Sequence, residues 1–185
     1  RRVQILQALA SMLEQPGGER ITTAALAARL GVSEAALYRH FASKAQMFEG
    51  LIEFIEQAVF ALVNKITTAS PEDGRQKVAR IVAMLLQFGE KNPGMARVMV
   101  GDALVYENER LQQRMNLFFD KVEATLRQTL REMAATSGSI SPTADAQVLA
   151  SVLTAFAVGR LQRFARSGFK RLPSEYLDAA LTRMV

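Results

Sequence analysis

The sequence predicts an all-α fold of about nine helices, a small amino-terminal domain followed by a larger one. Three observations carry that expectation. Pro16, Pro71, Pro93, Pro142 and Pro173 each stand where helical periodicity stops, and proline is tolerated only at a helix's first turn or in a connection. The segments between them are rich in Ala, Leu, Met, Gln, Glu and Arg, which favour helix. No stretch shows the strict alternation of a half-buried strand.

Taken in order, a first helix carries Val3, Leu6, Leu9 and Leu13 at helical spacing and stops at Pro16-Gly17-Gly18. Thr22 and Thr23 cap a short second helix that runs through Arg29-Leu30, and Gly31 supplies a left-handed turn. Ser33 caps a third helix, Glu34 to Phe41. Ser43 followed by Gln46 is a capping-box pattern opening a long fourth helix to about Thr67. That helix is apolar on several faces and is read as the connector between two layers. A fifth helix spans Arg75 to Glu90 and stops at Asn92-Pro93-Gly94; a short sixth ends at Gly101. A seventh runs from Asp102 to Ala135, an eighth from Ser141-Pro142 to Gly168, and a ninth from Ser174 to the end.

Composition narrows the function. Of 185 residues, 49% are hydrophobic, enough for a sizeable core. There is no cysteine, which excludes disulfide and thiolate chemistry. No apolar run stands out as a membrane span, and no secretory pattern is visible, so a cytoplasmic protein without membrane association is expected. The net charge is +5. Within residues 1–45, Arg1, Arg2, Arg20, Arg29, Arg39 and Lys44 outnumber Glu14, Glu19 and Glu34. A basic surplus there suits an anionic partner.

Residues 22–41 explain the surplus. Leu26, Leu30, Val32 and Leu37 face one another across Gly31, and small Ala27 lets the two helices approach. This is a helix-turn-helix, whose second helix enters a DNA major groove. Tyr38, His40 and Lys44, with Thr22, are placed to donate hydrogen bonds to phosphate, whereas Ser33, Glu34, Ala35 and Arg39 lie nearer base edges. Thr23, beside Thr22 at the same helix start, is counted with them among the DNA-binding residues. His40 is the one histidine and has no cysteine or second histidine as partner; no enzyme, metal or cofactor is expected.

The segment ITTAALAARLGVSEAALYRHFASKAQMFEGLIEFIE resembles the DNA-binding domain of the TetR family, most specifically in LYRHF-x-SK. The resemblance implies a homodimer on a DNA pseudo-palindrome, with residues 1–45 as the DNA-binding domain and 46–185 as the dimerisation and partner domain. The strings LIEFIE, FGEKNPGM and RLQQRMNLFFDKVEATLRQTLRE, with SEAALYRHFASK, are similar to the family's nucleoid occlusion subgroup. That subgroup binds palindromic chromosomal sites and, when on DNA, inhibits assembly of the tubulin-like division protein FtsZ over the nucleoid. Its groove for the FtsZ carboxy-terminal tail maps onto Phe54, Lys91 and Asn92. Leu62 and Val63 stand where the subgroup can carry a basic residue, which would make the groove less positive.

Two further surfaces are read from the residues. The eighth helix presents Leu149, Val152, Leu153, Phe156, Leu161 and Phe164 beside the small residues Ala150, Ala157 and Gly159. Val152, Phe156, Gly159 and Leu161 are expected to meet a second copy. Met84, Met95, Met99, Met115, Phe88, Phe118 and Phe119 are read as core. The alternative is a pocket for a hydrophobic inducer that releases a transcriptional repressor from DNA. The charges of the seventh helix are read as a solvated face with ion pairs inside the helix.

Overall fold

The computed structural model describes residues 1–15, 20–68, 73–137 and 142–185. Its helices are α1 (Arg2–Leu13), α2 (Thr23–Leu30), α3 (Glu34–Tyr38), α4 (Lys44–Thr68), α5 (Gly74–Lys91), α6 (Pro93–Met99), α7 (Glu109–Ser137), α8 (Pro142–Arg166) and α9 (Leu177–Met184). A 3₁₀ turn, Asp102–Leu104, lies between α6 and α7. No strand occurs among the described residues. The turn at Pro16-Gly17-Gly18 and the Ser141 cap fall outside the described residues.

Helices α1, α2 and α3 pack as a small layer that meets α4 and α6 through α1, and α5, α7 and α8 pack on one another as the body of the larger layer. The buried side chains form a continuous core from Ile5 to Leu181. Helix α4 makes it continuous, because Met47, Phe48, Leu51, Ile52, Ile55, Val59, Val63 and Ile66 are all buried along its length. A helix with an apolar surface this wide has to be covered from more than one side. At its start Ser43 caps the Gln46 amide at 3.2 Å, while the Gln46 side chain accepts from Ala42 rather than from Ser43 itself. The box is therefore displaced by one residue.

Several expectations are corrected. The buried face of α1 is Ile5, Leu9, Ala10 and Leu13, and Val3 is exposed; a spacing of four residues, not three, points at α4 and α6. Helix α3 ends at Tyr38, since His40 and Phe41 both turn their amides back to the Leu37 carbonyl. Helix α7 starts at Glu109 rather than Asp102. Gly101 is left-handed (φ 80°), Asp102 pairs with Arg97 at 3.2 Å, and Asn108 accepts from the Arg110 amide at 3.0 Å as the real cap. Helix α9 begins only at Leu177, after Tyr176 adopts φ 54°.

The charges of α7 are corrected too. Arg110 pairs with Glu49 at 2.8 Å, and Arg114 forks onto Glu56 at 3.2 and 3.1 Å. These are bonds between α7 and α4, not within α7. The Glu56 hydrogen bonds, against some burial and with help from Glu53 and Glu49, push the Arg114 guanidinium further above its ordinary value.

Met99, Met115 and Phe118 are buried core, and Met84, Phe88, Met95 and Phe119 are packed against it. Phe118 stacks edge-on with both Phe60 and Phe119 at centroid distances of 5.5 and 5.1 Å. Leu161 is fully buried within its own protomer, where Gly89 of α5 makes room for its side chain, so it is removed from the dimer surface. Ala150, Leu153 and Ala157 share that inward face, while Val148, Val152 and Ala155 point out. Residues Asp145–Arg166 of α8 are, by length and composition, long and apolar enough to cross a membrane, contrary to the expectation that no apolar run stands out. Of its most apolar window, 39% is buried inside the protomer.

Candidate nucleic-acid interface

The helix-turn-helix is built by two side-chain caps and one glycine. Thr22 Oγ1 accepts from the Ala25 amide at 3.1 Å and Ser33 Oγ from the Ala36 amide at 3.2 Å. Between them Gly31 takes φ 64°, ψ 35°, a conformation in which a Cβ is strained, and its amide returns to Ala28 at 3.1 Å. Leu26, Ala27 and Leu37 are buried under the turn.

A chain of hydroxyls then sets α3 against α2. The Tyr38 hydroxyl donates to Thr23 Oγ1 at 3.3 Å, and that hydroxyl donates to Glu34 Oε2 at 2.8 Å. Sequence reasoning placed all three residues at the DNA surface but missed that they are bonded to one another. The usable signal was Thr23 and Glu34 standing at the first position of successive helices. Glu34 is thus positioned by α2, and its carboxylate is committed to the protein before any base edge is reached.

From below, Arg2 donates to the His40 carbonyl and lies 4.2 Å over the Phe41 ring. Arg29 donates to Ser11 Oγ at 2.9 Å. Two of the basic residues counted toward the anionic partner therefore brace the motif. Thr22, Ser33, Glu34, Ala35, Tyr38 and Arg39 are exposed, and Thr23 and His40 are half-buried. Lys44 differs from the expectation of an open phosphate anchor: its ammonium sits 2.6 Å from Glu107 Oε1.

Away from the motif, Phe54 is 49% exposed on α4, which excludes the core role its residue type suggests. Ala61 and Leu62 are exposed further along that helix. Lys91 is exposed at the end of α5, and the Asn92 side-chain Nδ2 donates to the Phe88 carbonyl at 2.8 Å, closing that helix. On α8, Val152 is exposed, and Phe156 is half-buried beneath the Arg160 guanidinium at 4.9 Å. Apart from its chain neighbours and its own helix backbone, Gly159 has no atom within 4 Å of where a Cβ would stand.

Residues 5–51 match the model described as bacterial regulatory proteins, tetR family, and residues 73–184 match the SlmA-like tetracyclin repressor-like C-terminal domain. The nucleoid occlusion factor SlmA of Shewanella sediminis is 51% identical over 178 residues, 96% of this chain and 89% of its own length. That of Vibrio cholerae is 50% identical over 179 residues, 96% and 90% of the two chains. Among solved structures, the MbdR regulator of Azoarcus sp. CIB superposes with a TM-score of 0.79 at 18% identity, covering 100% of this chain and 97% of its own. FadR of Bacillus subtilis, solved with stearoyl-CoA, gives 0.77 at 16% identity, covering 100% and 98%. At such identities these two speak for the fold alone. With a helix-turn-helix seated on a long shared α4 and a carboxy-terminal half matching that model throughout, the chain belongs to the TetR family of DNA-binding regulators, within its SlmA nucleoid occlusion branch.

Proposed function

We propose that the chain works as a cytoplasmic, nucleoid-associated homodimer. It would bind a chromosomal pseudo-palindrome through residues 1–45 and, on DNA, engage the FtsZ tail through residues 46–185 to prevent septum assembly. The observation that carries this reading is the face of α2 and α3. Its geometry is set by two caps, Gly31 and the Tyr38–Thr23–Glu34 chain, yet Thr22, Ser33, Ala35, Tyr38 and Arg39 remain open to a duplex. A dimer would set two such faces roughly 34–36 Å apart, one helical turn of DNA.

The tail site is argued from exposure. Phe54 is a large aromatic in water on α4, with Ala61 and Leu62 beyond it, and Lys91 offers a cation at the end of the neighbouring α5. Counting back from the α4–α5 connection, Phe54 lies about 21 Å and Lys91 about 26 Å along their helices, so they sit at similar height if the helices run antiparallel. An extended peptide with an apolar and an acidic residue suits that strip.

The test is fluorescence anisotropy of a labelled FtsZ tail peptide titrated with the protein, with and without duplex DNA. The expected result is tight binding that needs DNA and is abolished by Phe54→Ala. By linkage, a tenfold gain for the peptide requires the same ~1.4 kcal/mol gain for DNA. No peptide binding at tens of micromolar, with DNA release by a hydrophobic ligand, would move the chain to an inducer-controlled repressor.

A further inference from the structure

The turn that joins the 3₁₀ segment to α7 carries an acid against the back of the DNA-binding head. Glu107 has a side chain only 7% exposed, and its Oε1 faces two cations of the head: Lys44 Nζ at 2.6 Å and Arg20 Nε at 3.6 Å. Lys44 is itself only 18% exposed. The backbone of Glu107 is held by its amide on the Leu104 carbonyl at 3.0 Å, and Asn108 beside it caps α7. A second clamp lies nearby, where Arg97 bonds both Asp102 and the Leu13 carbonyl at the end of α1, the latter at 2.9 Å. The linker 100–108 is therefore tied to the head at two polar points.

One of those points coincides with a residue expected to meet phosphate. An ammonium held by a nearly buried carboxylate already has its charge compensated and its position set away from a phosphate, and the carboxylate itself repels a phosphate oxygen. Both effects oppose DNA, and both act through Glu107. We propose that Glu107 is an internal counter-anion of the DNA-binding head: it holds Lys44 and Arg20 in the free protein and yields Lys44 to backbone phosphate, so that DNA binding unclamps the 100–108 linker. The inference rests on the DNA-binding reading above, and it assigns Glu107 a positioning role rather than a DNA contact.

The experiment uses the full chain and a generic double-stranded DNA at several salt concentrations, since backbone contacts do not depend on sequence. Glu107→Gln keeps the shape and removes the charge. It is expected to bind duplex roughly tenfold more tightly at low salt with a nearly unchanged salt slope, because Lys44 meets the same phosphate in both proteins and only the cost of releasing it differs. In a Lys44→Ala background the same change should gain no more than about twofold to threefold, because only Arg20 is left to release. Hydrogen exchange of residues 100–108 in the unaltered protein, which needs no variant to fold, should accelerate on adding duplex. If Glu107→Gln matches the unaltered protein in affinity, or binds more weakly, the inference fails while the DNA reading stands. If the linker exchanges no faster on DNA, it likewise fails. If the unaltered protein binds no duplex at all, the DNA reading fails and takes this one with it.

Discussion

Gly94 shows how little room the head leaves at its base. A Cβ there would lie 2.1 Å from the Ala10 carbonyl oxygen, a backbone atom that cannot step aside, and 3.2 Å from the Leu13 Cβ. Gly94→Ala should therefore separate α6 from α1 and cost about 2 kcal/mol, lowering Tm by several degrees in a thermal melt. Lys44 is the second telling residue. Its removal leaves Glu107 nearly buried with only Arg20, 3.6 Å away, so Lys44→Ala should lower stability by about 1–3 kcal/mol. Adding Glu107→Gln should recover most of that loss in a denaturant titration. On DNA, Lys44→Ala should weaken all sequences alike, with a salt slope smaller by about 0.9 for each phosphate that is no longer neutralised. A change in preferred sequence would instead place Lys44 among the base-reading groups.

At the scale of elements, α4 is laced by ion pairs in order, first to the 100–108 linker and then to α7: Lys44 with Glu107, Glu49 with Arg110, Glu56 with Arg114. The second and third lie at the surface, and their worth is discounted by solvent. Arg114→Ala should cost about 0.5–1 kcal/mol by urea titration, and less at high salt. The recognition helix is a contrasting case. Helix α3 has five residues, too short to persist alone, and depends on the Ser33 cap and on Thr23 bridging Tyr38 and Glu34. Thr23→Val keeps the shape of the side chain and deletes both bonds. DNA affinity should fall by about threefold to tenfold, while the melting temperature of the whole chain moves by no more than about 2 °C.

For the whole molecule, the outward stripe of α8 decides the assembly we propose. Val152 is 47% exposed, and Gly159 has open space where a side chain would go. Gly159→Arg would be accommodated by the protomer, because nothing beyond its chain neighbours and its own helix backbone lies within 4 Å of the added Cβ. Light scattering of that variant is expected to give the monomer mass with unchanged helical circular dichroism, and Phe156→Asp the same. A Gly159→Arg protein that keeps the dimer mass would move the interface to another face.

The sequence by itself determined what is local. Proline punctuation, helix formers and caps set the helical class. Leu26, Ala27, Leu37, Gly31 and the Thr22 and Ser33 caps set the helix-turn-helix, because each acts within a few residues of itself. What the tertiary structure decided is which apolar or charged side chain meets which. Periodicity marked the apolar residues of α8 but could not divide them, and only the crossing of α5 shows Leu161 turned inward on Gly89 with Val152 left outside. The resemblance alone assigns Phe54 to a partner groove, and only the placement of α4 against its neighbours shows it standing in water. Arg110 and Arg114 suggested pairs along one helix, and the structure sends them across to α4. Lys44 and Glu107 are separated by 63 positions. A pairing of that separation leaves no trace in local pattern, since it is created by two core-packed layers that bring the linker against the head and not by any preference of the residues themselves.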